Sequence, residues 1–171
     1  MTWFDGVMIV RDAHPGEMPA VGALRVAAYE AEGLLTAHPA YARRLSALGA
    51  DGHGEVLVAV ENDQILGTAM LDPYGPGSEL ATGPHEAEMR ALAVAPEAQG
   101  RGIGAALIRA VLDRAAARGA TALLLSTQPA MKTAQRLYLS QGFTRLPARD
   151  WAPIPGFTLL VFGRSLSGFG G

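Results

Sequence analysis

The stretch from Ala87 to Gly104, AEMRALAVAPEAQGRGIG, constrains the fold more than any other part of the chain. It reads as a buried strand, a glycine-rich turn and a helix start in direct succession. With glycine at 100, 102 and 104 the backbone can turn tightly, and N–H groups unshielded by Cβ atoms can converge on an anion at the positive end of the following helix. Arg101 adds a full positive charge. The turn is therefore expected to cradle a phosphate-bearing ligand of nucleotide type.

The rest of the composition narrows what can surround that cradle. A chain of 171 residues suits one domain and buries roughly two thirds of its unfolded surface. Hydrophobic residues make up 49% and charged residues only 18%, which excludes a disordered or fibrous class. The net charge of -2, with no run of Lys or Arg, argues against nucleic acid as a partner. Cysteine is absent, which removes disulfides, thiolate zinc sites and thiol nucleophiles together. The N-terminus lacks a basic region ahead of an apolar core, and no segment has the length of a membrane span. A cytoplasmic protein without a membrane partner is the expectation.

Apolar spacing predicts the remaining elements. Val7–Arg11 suits a first strand, and Val21, Leu24, Ala28 and Leu35 give helical spacing after His14. Tyr41, Leu45 and Leu48 predict a second helix from Pro39, stopped at Gly49. Residues 55–61 and 64–72 form a predicted hairpin about Asn62-Asp63, residue types that tolerate positive φ. Pro73–Pro84 is the one long loop, so it is either functional or mobile. Residues 86–94 form the cradle strand, and Ile103, Leu107, Val111 and Ala115 line one face of the next helix. The continuous apolar run 121–126 reads as a central strand, and 131–141 as a helix stopped by Gly142. Residues 143–146 and 157–162 are the last predicted strands, with a Pro-rich connection holding Asp150 and Trp151 between them. The tail, residues 166–171, is expected to fray. The whole reads as a single domain over 1–171, α/β with one mixed sheet and helices on both of its faces.

A glycine turn alone is equally a tight strand-to-helix connection. A P-loop is excluded, because Gly104-Ala105-Ala106 offers neither the lysine nor the hydroxyl it needs. A dinucleotide-binding turn fits poorly, since the third glycine comes one residue early and the next strand ends in Ser126-Thr127 rather than an acid.

Residues 88–104 resemble the acyl-CoA-binding motif of the GNAT superfamily of N-acetyltransferases. That signature, Gln/Arg-x-x-Gly-x-Gly/Ala after a strand of Leu-Ala-Val type, stands here as Gln99-Gly100-Arg101-Gly102-Ile103-Gly104. A second block of the same family, Ala-x-x-Leu-Tyr-x-x-x-Gly-Phe, stands as residues 134–143 in the expected order. The resemblance implies a mostly antiparallel, splayed sheet and acetyl-CoA as cosubstrate. Its pantetheine arm would pair with Leu92, Ala93 and Val94. Its pyrophosphate would rest on the amides of Gln99, Gly100, Arg101, Gly102, Ile103 and Gly104. Gln128, which follows the central strand where the family more often has Asn, and Ala134 of the second block are carried over to the coenzyme side.

The implied reaction is direct attack of a primary amine on a thioester in a ternary complex. Holding an amine of pKa near 10.4 neutral at pH 7 costs about 4.6 kcal/mol, so a base is required. Glu88 matches the position of a family glutamate base. Strand alternation puts Glu86, Glu88, Arg90 and Leu92 on one side, so Glu86 can act instead, through water. Without chemistry, Glu88 would be a strand-edge carboxylate or a partner for Arg90. Tyr138 matches the family's general acid for the departing thiolate, and also serves as coenzyme contact; otherwise it is a core aromatic. The four histidines, His14, His38, His53 and His85, show no metal-ligand spacing, and no metal is expected.

The acceptor is expected to be an amine on a small molecule or peptide. Glu30, Glu32, Asp72, Glu79 and Asp150 suggest a cationic one. Open sheet edges can also pair two copies into a homodimer. The rival readings are a non-catalytic acyl-CoA-binding module and a nicotinamide-dependent oxidoreductase.

Overall fold

Eight strands share one hydrogen-bonded order, β1-β2-β3-β4-β5-β8-β6, with β7 also pairing β8. They are β1 (Ile9–Asp12), β2 (Glu55–Glu61), β3 (Gln64–Asp72), β4 (Glu86–Val94), β5 (Ala122–Thr127), β6 (Thr144–Arg145), β7 (Trp151–Ile154) and β8 (Phe157–Ser165). The helices are α1 (Met18–Ala31), α2 (Pro39–Ala47), α3 (Ile103–Ala117) and α4 (Lys132–Ser140). The computed structural model describes residues 7–35 and 39–166, so His38 and the tail beyond Leu166 lie outside the described residues. Leu166, read from the sequence as part of the fraying tail, is buried and donates its N–H to Thr121 O at 2.8 Å. Among the described residues no helix is long and apolar enough to cross a membrane.

Backbone contacts divide the chain into two compact units, 1–70 with 91–110, and 71–90 with 111–171. In the first, β1 runs antiparallel to β2 with Ile9 opposite Val60. Asn62 and Asp63 have φ of 51° and 62°, the left-handed pair that a two-residue hairpin needs. Gly67 on β3 is a point of close approach: a Cβ there would sit 2.9 Å from both Ile103 and Leu107 side chains and 3.2 Å from Ala93 O. The missing side chain lets the start of α3 and the end of β4 lie directly on β3. Leu66 O accepts the N–H of Ala95 at 2.8 Å beside it.

The α1–α2 pair is stapled from inside. Arg25 is fully buried, and its Nη1 donates to Leu45 O at 3.1 Å and Leu48 O at 2.7 Å, satisfying carbonyls at the end of α2. Burial lowers its pKa to about 10. One turn earlier Gly22 meets α2 backbone to backbone, since a Cβ there would lie 2.5 Å from Ser46 O.

In the second unit the first residues of β4 pair in parallel with β5, Glu86 opposite Ala122 and Glu88 opposite Leu124. β5 in turn runs antiparallel to β8 along its whole length. Leu123, Leu124 and Leu125 are buried, as a strand covered on both faces requires, together with Phe143, Val161 and Phe162. β1–β2, β5–β8, β6–β8 and β7–β8 are antiparallel while β4–β5 is parallel, so the sheet is mixed. β7 departs from the sequence expectation, which left 151–154 in a loop because Pro147, Pro153 and Pro155 crowd it. It pairs β8 through an irregular register, Trp151 with Leu159 and Ile154 with Phe157, and so forms at an edge that tolerates a missing N–H.

Gly22→Ala should therefore destabilise the protein by about 1–2 kcal/mol, although Ala gains about 1 kcal/mol over Gly in a helix interior. Urea denaturation measures the difference. An increase in stability would show that α2 yields to the new methyl.

Candidate functional site

Glu88 is 1% exposed, and a carboxylate so placed needs donors from the protein. Its Oε2 receives two, the N–H of Leu80 at 2.8 Å and that of Ala81 at 2.9 Å. Both belong to the loop between β3 and β4, which the sequence left as either functional or mobile. The structure pins that loop to the strand at the candidate base.

Glu86, two residues earlier on the same strand, has a different environment. Arg149 grips its carboxylate with both terminal nitrogens, Nη1 to Oε2 at 3.0 Å and Nη2 to Oε1 at 3.1 Å. Thr82 adds its N–H at 2.9 Å and its hydroxyl at 3.1 Å to Oε1. The guanidinium hydrogen bond is the main reason that the Glu86 pKa falls to about 2. A carboxylate so strongly stabilised as an anion is a poor proton acceptor.

Arg90 completes the loop's attachments. It donates Nη1 to Asp72 Oδ2 at 3.0 Å, and its Nη2 lies 3.0 Å from Glu79 Oε1. Asp150, on the Pro-rich connection before β7, is forked by Arg145 at 2.7 and 2.9 Å and accepts Val161 N–H at 2.9 Å. Three of the five acids behind the expectation of a cationic acceptor are thus already paired with arginine. Glu30 and Glu32 remain exposed on the end of α1 and the turn after it.

Tyr138 is 5% exposed, and its ring centroid lies 5.9 Å from that of Phe143 and 6.0 Å from that of Phe162. These tilted contacts fix the ring plane while the phenol carries the polar atom. Ala134 stands one helical turn before it, half-buried. Gln128 closes β5 with its carbonyl, which accepts the Met131 N–H at 3.0 Å and the Gln135 side-chain amide at 3.1 Å.

The glycine turn lies in the first unit. Gly100 and Gly102 adopt φ of 80° and 79°, and open space surrounds the positions a Cβ would take. The first backbone bond of α3 runs from Ala106 N–H to Gly102 O at 3.1 Å. Among the described residues, the backbone N–H groups of 99–104 donate to no carbonyl, which is the donor set a pyrophosphate requires. Gln99 turns its side chain back to donate to Val94 O at 3.0 Å, and Arg101 pairs with Glu61 at 2.6 Å. The Arg101 charge, assigned to the anion from sequence, is therefore shared with a carboxylate of β2.

Leu92, Ala93 and Val94 follow Ala91, a non-glycine residue with φ of 55° inside β4. A residue in the left-handed region turns the pleat as a bulge does, so the alternation read from Glu86 to Leu92 holds only as far as Arg90. The sequence carried no signal for this, nor for Arg149, which lies 63 residues from its partner. His14, His53 and His85 join no group that could hold a metal ion among the described residues.

Comparison with known proteins gives a consistent picture. The model of the acetyltransferase (GNAT) family matches residues 21–143. An uncharacterized N-acetyltransferase of Schizosaccharomyces pombe is 33% identical over 104 residues, 60% of this chain and 60% of that protein. The chain spans between 31% and 60% of the length of the curated relatives it matches. Among solved structures, a ribosomal-protein-alanine N-acetyltransferase from Brucella melitensis superposes with a TM-score of 0.65 at 25% identity, covering 92% of this chain and 99% of that one. A putative acetyltransferase from Salmonella typhimurium, solved with its cofactor acetyl-CoA, shares the fold with a TM-score of 0.65 at 20% identity, covering 94% of this chain and 95% of that one.

The Glu86–Arg149 pair should appear in acid stability. Because the folded pKa of about 2 lies below the ordinary 4.5, the pair stabilises fully above about pH 4.5 and loses its effect as pH falls toward 2. Glu86→Gln should lower stability at pH 6 by about 1–3 kcal/mol, the lower end reflecting solvent around Arg149, and the gap to the parent should close by pH 2. Denaturation midpoints across that range measure it; a gap independent of pH would assign the loss to packing.

Proposed function

The chain belongs to the GNAT acetyltransferase family, and on that premise we propose that it transfers an acetyl group from acetyl-CoA to a primary amine of a small molecule or peptide. The observation that carries the reading is the run of uncommitted amides from Gln99 to Gly104, opened by two left-handed glycines at the N-terminus of α3. It offers dense donors to a pyrophosphate without a lysine or a metal. Leu92, Ala93 and Val94 lead into that turn and supply main-chain groups for the pantetheine amides, with Gln128 and Ala134 assigned to the coenzyme as well.

Acetyl-CoA supplies the activated acyl thioester. Glu88 takes the proton from the attacking amine, and the C–N bond forms as the C–S bond breaks. Tyr138 donates its phenolic proton to the departing sulfur. Glu88 is preferred to Glu86 as base because Arg149 and Thr82 already occupy both Glu86 oxygens and hold its pKa at about 2. Among the described residues the hydrogen bonds to Glu88 fall on Oε2, which leaves Oε1 for the proton.

Acetyl-CoA at about 100 times its dissociation constant should add roughly 2.7 kcal/mol of stability and raise Tm by about 5–11 °C, whereas NAD should not. No shift with acetyl-CoA would remove the cofactor assignment. Tyr138→Phe should lower kcat about tenfold or more with acetyl-CoA binding nearly unchanged. Glu88→Gln should flatten the acidic limb of the pH–rate profile. Normal binding with no transfer to any amine in a broad panel would instead favour an acyl-CoA-binding module.

A further inference from the structure

Arg149 has a second contact besides Glu86. Its Nη2 donates to Leu80 O at 2.7 Å. That carbonyl belongs to the Leu80–Ala81 peptide, whose own N–H, carried by Ala81, donates to Glu88 Oε2 at 2.9 Å. A guanidinium, one peptide group and a buried carboxylate therefore form a continuous chain of donors and acceptors. Polarisation of the carbonyl by a cation strengthens the N–H on the far side of the same amide plane.

We propose that Arg149 is a positioning residue for Glu88, fixing and polarising through the Leu80–Ala81 peptide the donor that holds Glu88 Oε2. The inference rests on the reading of Glu88 as the base. Glu86 has a supporting part: it neutralises Arg149 and, with Thr82, fixes the guanidinium plane so that Nη2 reaches Leu80. Arg149 sits in the short 3-10 turn Pro147–Arg149, so a segment remote in sequence completes the setting of the strand carboxylate. The cations that interact with Glu88 among the described residues are Arg149 from that turn, neutralised by Glu86, and Arg90 on its own strand, held by Asp72 and Glu79. Its neighbour in register on β5, Leu124, does not titrate.

The decisive measurement is a pH titration of the side-chain carboxyl carbons in protein labelled with 13C-glutamate, with Glu88 assigned by its absence in Glu88→Gln. The double variant Glu86→Gln/Arg149→Met removes the chain without leaving an unpaired charge. Its Glu88 midpoint should move to higher pH by about half a unit or more relative to both the parent and Glu86→Gln alone. The acidic limb of kcat should move with it, with KM for acetyl-CoA unchanged within about twofold, and Arg149→Lys in place of Arg149→Met should reverse part of the shift. A folded double variant with an unmoved Glu88 midpoint, or a shift equally large in Glu86→Gln alone, would overturn the proposal. If the double variant does not fold, Glu86→Gln/Arg149→Gln keeps a donor amide in place of the cation and is read by the same criteria. The titration needs no acceptor. An acidic limb that survives Glu88→Gln would defeat the reading of Glu88 as base while the coupling of Arg149 to Glu88 is still decided by the carboxyl titration.

Discussion

A carboxylate taken out of water must be matched by donors, and at Glu88 that requirement organises the surrounding unit. Two consecutive backbone amides supply it, which is possible only if the 73–84 loop lies against β4 in one conformation. The conformation is then fixed from outside the loop by arginines at several points: Arg90 holds Asp72 and Glu79, and Arg149 holds Glu86 and the Leu80 carbonyl. A proline- and glycine-rich connection with no helix or strand of its own is thus ordered by charge rather than by an apolar core. Two carboxylates two residues apart leave this network with opposite characters. One is committed to an ion pair, and the other is buried with a single oxygen engaged.

The glycine cradle depends on a different kind of constraint, one of space. Gly67 removes the side chain that would hold α3 off β3, and so lets Ile103 and Leu107 seat the helix directly on the strand. With the helix start fixed, the left-handed turns at Gly100 and Gly102 lead into amides that the helix itself cannot use. The same unit uses glycine at Gly22 to bring α1 onto α2. At Gly22 the absent Cβ lets two backbones touch, and at Gly67 it makes room for the Ile103 and Leu107 side chains against the strand.

Charge pairing changes what the acidic composition means. Asp72, Glu79 and Asp150 read from the sequence as free negative charge, yet each faces an arginine within 3.0 Å. Half-buried pairs of this kind still contribute modestly one by one, but here they hold loops in place and cancel a field that would otherwise favour cations. The carboxylates near these loops thus overstate the free negative charge there.

Much of the fold was legible because its signals are local. The stripe at Ile103, Leu107, Val111 and Ala115 is buried from end to end, the Asn62-Asp63 turn has the positive φ its residue types allow, and residues 123–125 are enclosed on both faces. The glycine spacing at 100–104 predicted the left-handed turn before α3, and with the block at 134–143 it pointed to the family. What sequence could not supply were relations between distant or conformationally silent positions. The left-handed Ala91 has no residue signature, and Pro153 concealed β7, whose pairing depends on the edge that β8 presents. The different settings of Glu86 and Glu88 rest on Arg149, 63 residues from the first, and on two loop amides that any residue type would carry. Local periodicity and turn chemistry determine elements and a motif. Which carboxylate is bound and which is left with a free oxygen is decided by where the folded chain brings its donors.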